Sequence, residues 1–138
     1  MKNSLFLGLS LTLLLLVGCS DKVGLGGKVT FSDDGSPLST GTVCFETDTY
    51  LARGTLKADG SYVVGSLTEN DGLPAGTYRV YISGAEKETG QDKEGMPIME
   101  PLIDTKYSSA SMSELTLDVT NATKTFDIKV DRYVPSKK

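Results

Sequence analysis

From residue 27 onward, apolar side chains fall at every second position. The stretches that do so are separated by Asp-Gly turns, by a loop closed by Pro74 and Gly76 and by an Asn-containing turn, not by helix caps. That period puts successive side chains on opposite faces of an extended strand, so the chain is expected to fold as an all-β domain. Val29 and Phe31 oppose Lys28, Thr30 and Ser32, and Asp33-Asp34-Gly35-Ser36-Pro37 then turns the chain. Val43 and Phe45 share a face within 41–47, which ends at Asp48-Thr49. A weaker strand over 51–57, interrupted by Gly54, leads into Ala58-Asp59-Gly60-Ser61, a hairpin signal that makes 62–67 its return strand. The clearest strand is 77–83, with Tyr78, Val80 and Ile82 on one face and Thr77, Arg79, Tyr81 and Ser83 on the other. Leu115, Leu117 and Val119 alternate, as do Phe126, Ile128 and Val130, with Thr120-Asn121-Ala122-Thr123 expected to join them as a closing hairpin. About seven short strands with frequent turns and no helical pattern predict a single antiparallel β-sandwich.

The alternation lapses between residues 84 and 113. The first part, 84–95, is charged and poor in apolar residues, so it is expected to be mobile. Residues 96–107 carry Met96, Ile98, Met99, Leu102, Ile103 and Tyr107, and are expected to pack on the domain as irregular structure with an edge strand or a helical turn. Residues 133–138 form a basic tail.

The amino-terminal residues follow a different rule. Lys2 precedes an apolar run from Leu5 to Val17 broken only by Gly8, Ser10 and Thr12, which has the order of a secretion signal and is short of the roughly 20 residues a membrane span needs. Leu16-Val17-Gly18-Cys19 resembles the lipobox of bacterial lipoproteins at each of its four positions. That resemblance implies cleavage between Gly18 and Cys19, diacylation of the Cys19 sulfur and acylation of the new amino terminus. Two or more acyl chains suffice for durable attachment, whereas one does not. The resemblance thus implies a signal peptide over residues 1–18 and a lipidated tether over 19–26, ahead of the expected sandwich over 27–132. Ser20 after the cysteine favours the outer membrane or cell surface over the inner membrane.

The remaining chemistry is sparse. With 14 basic and 18 acidic side chains, the chain has a net charge of −4. It lacks the basic face that nucleic-acid phosphates require. It contains no histidine, which removes Ser-His and Cys-His nucleophile schemes and the commonest transition-metal ligand. If Cys19 carries lipid, Cys44 has no partner in the chain and reads as a small buried hydrophobe. The acidic turns at Asp33-Asp34, Asp59 and Asn70-Asp71 lack the spacing of a calcium loop and are read as turn residues, so no metal or cofactor is expected. Glu46, Asp71 and Glu100 are the carboxylates from which a glycosidase pair would be assembled, a reading ranked below a binding role. Of the six tyrosines, Tyr62 and Tyr78 fall at core positions. Tyr81 and Tyr107 are left as the candidate binding surface for a glycan or peptide.

The glycine turns and core positions also carry a family resemblance. Gly27-Lys28-Val29-Thr30-Phe31, Asp34-Gly35-Ser36-Pro37-Leu38, Gly41-Thr42-Val43-Cys44-Phe45, Asp59-Gly60-Ser61-Tyr62 and Pro74-Ala75-Gly76-Thr77-Tyr78-Arg79-Val80 resemble the carboxypeptidase regulatory-like, or transthyretin-like, domain. The resemblance covers about residues 24 to 83 and implies a seven-stranded sandwich that is a non-catalytic accessory or binding module. The 84–113 insertion departs from the minimal domain. The expected molecule is a monomeric, lipid-anchored, extracytoplasmic module whose partners are a membrane through Cys19 and an envelope protein or glycan.

Overall fold

A computed structural model describes residues 21–68 and 70–137 of the chain. The expected signal peptide, the expected Gly18–Cys19 cleavage site and Cys19, the expected lipidation site, lie outside the described residues. The strands are β1 (Lys22–Val23), β2 (Gly26–Phe31), β3 (Thr42–Glu46), β4 (Leu51–Thr55), β5 (Ser61–Val63) and β6 (Leu73–Pro74). They continue with β7 (Gly76–Ser83), β8 (Glu86–Gln91), β9 (Pro97–Pro101), β10 (Thr116–Val119) and β11 (Ile128–Val130), and one 3-10 turn spans Thr105–Tyr107. The fold is all-β. A four-stranded sheet in the order β10-β7-β3-β4 faces a three-stranded sheet in the order β11-β2-β5, with β1-β6 and β8-β9 as two-stranded ribbons.

The period-two pattern is what places the core. Val43, Phe45, Tyr78, Val80, Ile82 and Val119 project from one sheet, and Val29, Phe31, Tyr62, Ile128 and Val130 from the other, into a single buried cluster. Phe45 lies at its centre, with its ring 6.1 Å from Tyr62, 6.5 Å from Tyr78 and 6.3 Å from Phe126. Tilted and edge-on contacts of this kind add to the burial energy of the rings.

Four expectations change. The segment read as a tether is partly built into the fold: β1 pairs antiparallel with β6, and Val23 and Leu25 are buried. Residues 84–95 are ordered. β8 and β9 pair antiparallel, and the connecting turn is held by the Asp92 side chain, which accepts from the backbone N–H of Glu94 and Met96, with Gly95 at a φ of +82°. Every residue of β8 is solvent-exposed, so this ribbon rests on backbone pairing and turn chemistry instead of the apolar burial that the composition argument weighed. In the following segment both an edge strand, β9, and a helical turn form.

The other two changes concern partners. The Asp59-Gly60 turn forms, with Gly60 at a φ of +79° and Lys57 N–H donating to the Ser61 carbonyl at 2.9 Å. The hairpin register is kept at both its ends, where Lys57 meets Ser61 and where Arg53 and Gly65 exchange backbone hydrogen bonds of 2.8 and 2.9 Å. Between them β5 takes β2 as its ladder partner, with the Tyr62 ring packed over Gly54, where a Cβ would lie 2.8 Å from it. β10 and β11, by contrast, are no hairpin. β10 lies antiparallel to β7, while β11 lies parallel to β2, so the 120–123 turn carries the chain from one sheet to the other and the sandwich is not wholly antiparallel.

Candidate functional site

The outer face of the four-stranded sheet gathers the polar and aromatic side chains that the core does not use. Alternation turns Thr42, Cys44 and Glu46 of β3, Arg53 and Thr55 of β4, and Arg79, Tyr81 and Ser83 of β7 away from the buried cluster. Register aligns Tyr81 with Cys44 and Cys44 with Arg53, and Arg53 bridges to Gly65 beyond the sheet edge. Tyr81, Cys44 and Arg53 therefore form one cross-strand row. Beyond Arg53 the row opens into a cleft of about 330 Å³ whose lining includes Arg53, Lys57, Ser66, Leu67, Thr68 and Asn70.

Tyr81 is half-buried in this row. Burial first, and then the neighbouring Cys44 thiol and Glu46, push its phenol up to about 12. It is thus a neutral hydrogen-bonding ring at physiological pH. Cys44 is buried on the same face, with its sulfur 3.7 Å from the Thr42 carbonyl oxygen and 3.7 Å from Ser83 Oγ. The expected small buried hydrophobe is thus what the fold contains, although it sits on the sheet's outer side. Tyr107 is elsewhere. It belongs to the core cluster at 9 % exposure, and its hydroxyl donates to Asp131 Oδ2 at 3.0 Å. The structure therefore does not bring Tyr81 and Tyr107 onto one surface. Tyr50, Tyr62 and Tyr78 also commit their hydroxyls internally, to Ser66 Oγ, the Phe126 carbonyl and the Pro74 carbonyl respectively.

The acidic turns are engaged as well. Arg132 donates through Nε to Asp33 at 2.8 Å and through Nη2 to Asp34 at 3.0 Å, while its guanidinium stacks 3.7 Å from the centre of the Phe31 ring. The Ser36 hydroxyl and N–H hold Asp34 down at about 2, and the Ser61 hydroxyl lowers Asp59 in the same way. Asp71 accepts from Lys22 Nζ at 2.8 Å and from the N–H of Ser66 at 2.6 Å, which holds its carboxyl well below the usual range. Lys106 above all, then Ser32 and Tyr107, hold Asp131 down at about 2. Glu46, Asp71 and Glu100 lie on three separate elements, with Asp71 paired to Lys22 and Glu100 to Lys87 at 3.7 Å. Among the described residues, no group of three or more Asp, Glu or Cys side chains is placed to hold a metal ion.

Sequence reasoning passed over the cleft residues Arg53, Lys57, Ser66, Thr68 and Asn70. The outward period of β4 marks Arg53 and Thr55 as surface positions, and Gly65 meets Arg53 in the register set by the Asp59-Gly60 turn, but the period says nothing of the loop after Gly65 that completes the cleft.

The fold and this site define a class: a two-sheet all-β domain with a polar outer sheet face that runs into a shallow cleft. No protein-family model matches the chain, and no curated protein matches it in sequence. Among solved structures it is similar to a DUF3823 family protein from Bacteroides ovatus, at 19% identity over 81% of this chain and 45% of that one, with a TM-score of 0.43. It is also similar to the major pilin subunit of Bacillus cereus, at 9% identity over 80% of this chain and 30% of that one, with a TM-score of 0.46. A third is a 9R-lipoxygenase from Cyanothece, at 15% identity over 85% of this chain and 18% of that one, with a TM-score of 0.40. The chain spans less than half the length of each.

Proposed function

We propose that this chain is a lipid-anchored, extracytoplasmic β-sandwich module of the carboxypeptidase regulatory-like kind, with a structural or binding role and no catalysis. The observation that carries the non-catalytic part is the dispersal of the candidate carboxylates: Glu46 is on β3, Asp71 in the loop before β6 and Glu100 on β9, with Asp71 paired to Lys22 and Glu100 to Lys87. A glycosidase pair needs two carboxyl groups facing one another across a single cleft. Leu16-Val17-Gly18-Cys19 supports the anchor, and Ser20 favours an outer-membrane or cell-surface address. Metabolic labelling with a palmitate analogue should mark the wild-type chain and not Cys19→Ala; equal labelling of the two removes the anchor.

A second reading, a monomeric carbohydrate- or peptide-binding domain, is favoured by the Tyr81–Cys44–Arg53 row and its cleft. An aromatic ring beside hydroxyl, amide and guanidinium groups suits a neutral or acidic polar ligand. A glycan array and an envelope pull-down should each retain a ligand with wild type and lose it with Tyr81→Ala or Arg53→Ala. Retention by both variants places the ligand elsewhere.

A further inference from the structure

The loop that links β5 to β6 is built against β1, and its tip exposes an apolar side chain. Asp71 accepts from the backbone N–H of Ser66 at 2.6 Å, Leu67 at 3.2 Å and Thr68 at 3.4 Å, and from Lys22 Nζ at 2.8 Å. Lys22 Nζ also donates to Ser66 Oγ at 3.2 Å. Within this clamp Leu67 stands 88 % exposed, the most exposed large hydrophobic side chain among the described residues. Two features set it apart from an ordinary surface leucine. The amides around it are already satisfied by a carboxylate whose charge Lys22 offsets, so the tip can leave bulk water without orphaning a backbone donor. It is also tied to the residue that follows Cys19 by only three positions.

That spacing decides what the loop meets. Three residues reach at most about 10 Å. Lys22 and Val23 are fixed by pairing with Pro74 and Leu73, so the anchored amino terminus has almost no free tether. β7 runs away from this end, from Gly76 to Ser83, and puts the β8–β9 ribbon at the opposite pole, about 25 Å away at the usual rise per strand residue.

We propose that the 65–68 loop is a second membrane contact, with Leu67 seated at the boundary between headgroups and acyl chains and the domain standing with its β8–β9 ribbon pointing away from the bilayer. This rests on lipidation of Cys19. The partner is a lipid surface, and the contact converts a point attachment into a fixed orientation.

The test uses the full chain processed in a lipidating bacterial host and reconstituted into phosphatidylethanolamine–phosphatidylglycerol vesicles. An environment-sensitive fluorophore is attached at Leu67→Cys or, as a control on the distal ribbon, at Thr89→Cys; Cys44 is buried and stays unlabelled. Palmitate-analogue incorporation is measured in the same samples. With lipid incorporated, the probe at 67 should shift to the blue and be quenched by brominated acyl chains about twofold or more beyond the probe at 89. Equal quenching at the two positions in lipid-bearing protein overturns the loop contact and leaves the anchor standing. Absence of lipid from both samples overturns the anchor, and the contact with it.

Discussion

At the scale of single residues, Tyr62 and Gly27 tie the strands of the three-stranded sheet to one another. Tyr62 is 1 % exposed, and its hydroxyl reaches across β2 at Gly27 to donate to the Phe126 carbonyl. Burial drives its phenol well above the ordinary tyrosine range, so it is a neutral donor at physiological pH. Tyr62→Phe leaves that carbonyl unpaired and should lower unfolding free energy by about 1–3 kcal/mol in urea titrations, with the native circular dichroism retained. Gly27 is tighter still: a Cβ there would lie 2.1 Å from the Phe126 oxygen and 3.0 Å from the Tyr62 hydroxyl. Gly27→Ala must separate β2 from the chain entering β11, and a loss of about 3 kcal/mol or more is expected by the same measurement. Asp71 acts locally instead. Asp71→Asn should speed hydrogen exchange at the Ser66, Leu67 and Thr68 amides while leaving those of Val43 and Val80 protected.

At the scale of elements, the β8–β9 ribbon and β11 are opposites. The ribbon exposes every residue of β8 and most of β9, whereas Ala85, Leu102 and Ile103 at its base pack on the domain. Replacing residues 87–100 with a short Gly-Ser turn should therefore shift stability by no more than about 0.5 kcal/mol, read as a near-unchanged thermal midpoint. A large loss would mean that the ribbon folds over the core in solution. β11 has only three residues, yet Ile128 and Val130 are 2 % and 0 % exposed and fill the space opposite β2. Ile128→Ala should cost about 2–4 kcal/mol, because a buried cavity is left that the parallel pairing with β2 cannot close.

At the scale of the whole molecule, the carboxylates set an acid limit. Asp34, Asp59, Asp71 and Asp131 all titrate lower in the folded chain than in the unfolded one. Their stabilisation is fully present above the ordinary carboxylate range near pH 4, and it is lost as pH falls through the folded values, about 2 for Asp34 and Asp131. The thermal midpoint should hold between pH 7 and about 5 and decline below that, with a shallower decline in Asp131→Asn. Both sheets share one buried cluster, so far-ultraviolet circular dichroism and tyrosine fluorescence should report a single coincident transition.

The sequence by itself determined the class of fold and the faces of its central strands, because a period of two divides the positions of a strand between two faces without reference to any partner. It also identified Val29, Phe31, Val43, Phe45, Tyr78, Val80 and Ile82 as core and Tyr81 as an outward ring, since each of those statements is local. Pairing was decided only in three dimensions. The Asp59-Gly60 and 120–123 turns both read as hairpins; the first keeps hairpin register at its ends while β5 pairs with β2, and the second instead carries the chain to β11, which completes the core beside β2. The same holds for the candidate site: Arg53 faces outward by rule, but the cleft beside it is completed by the loop after Gly65, which Asp71 and Lys22 hold in place. Tyr107 reads as a surface aromatic on a loop and is drawn into the core by packing and by Asp131, two partners that lie far from it in the chain. Periodicity is a property of neighbours along the backbone, whereas register, clefts and ion pairs belong to residues that only folding makes adjacent.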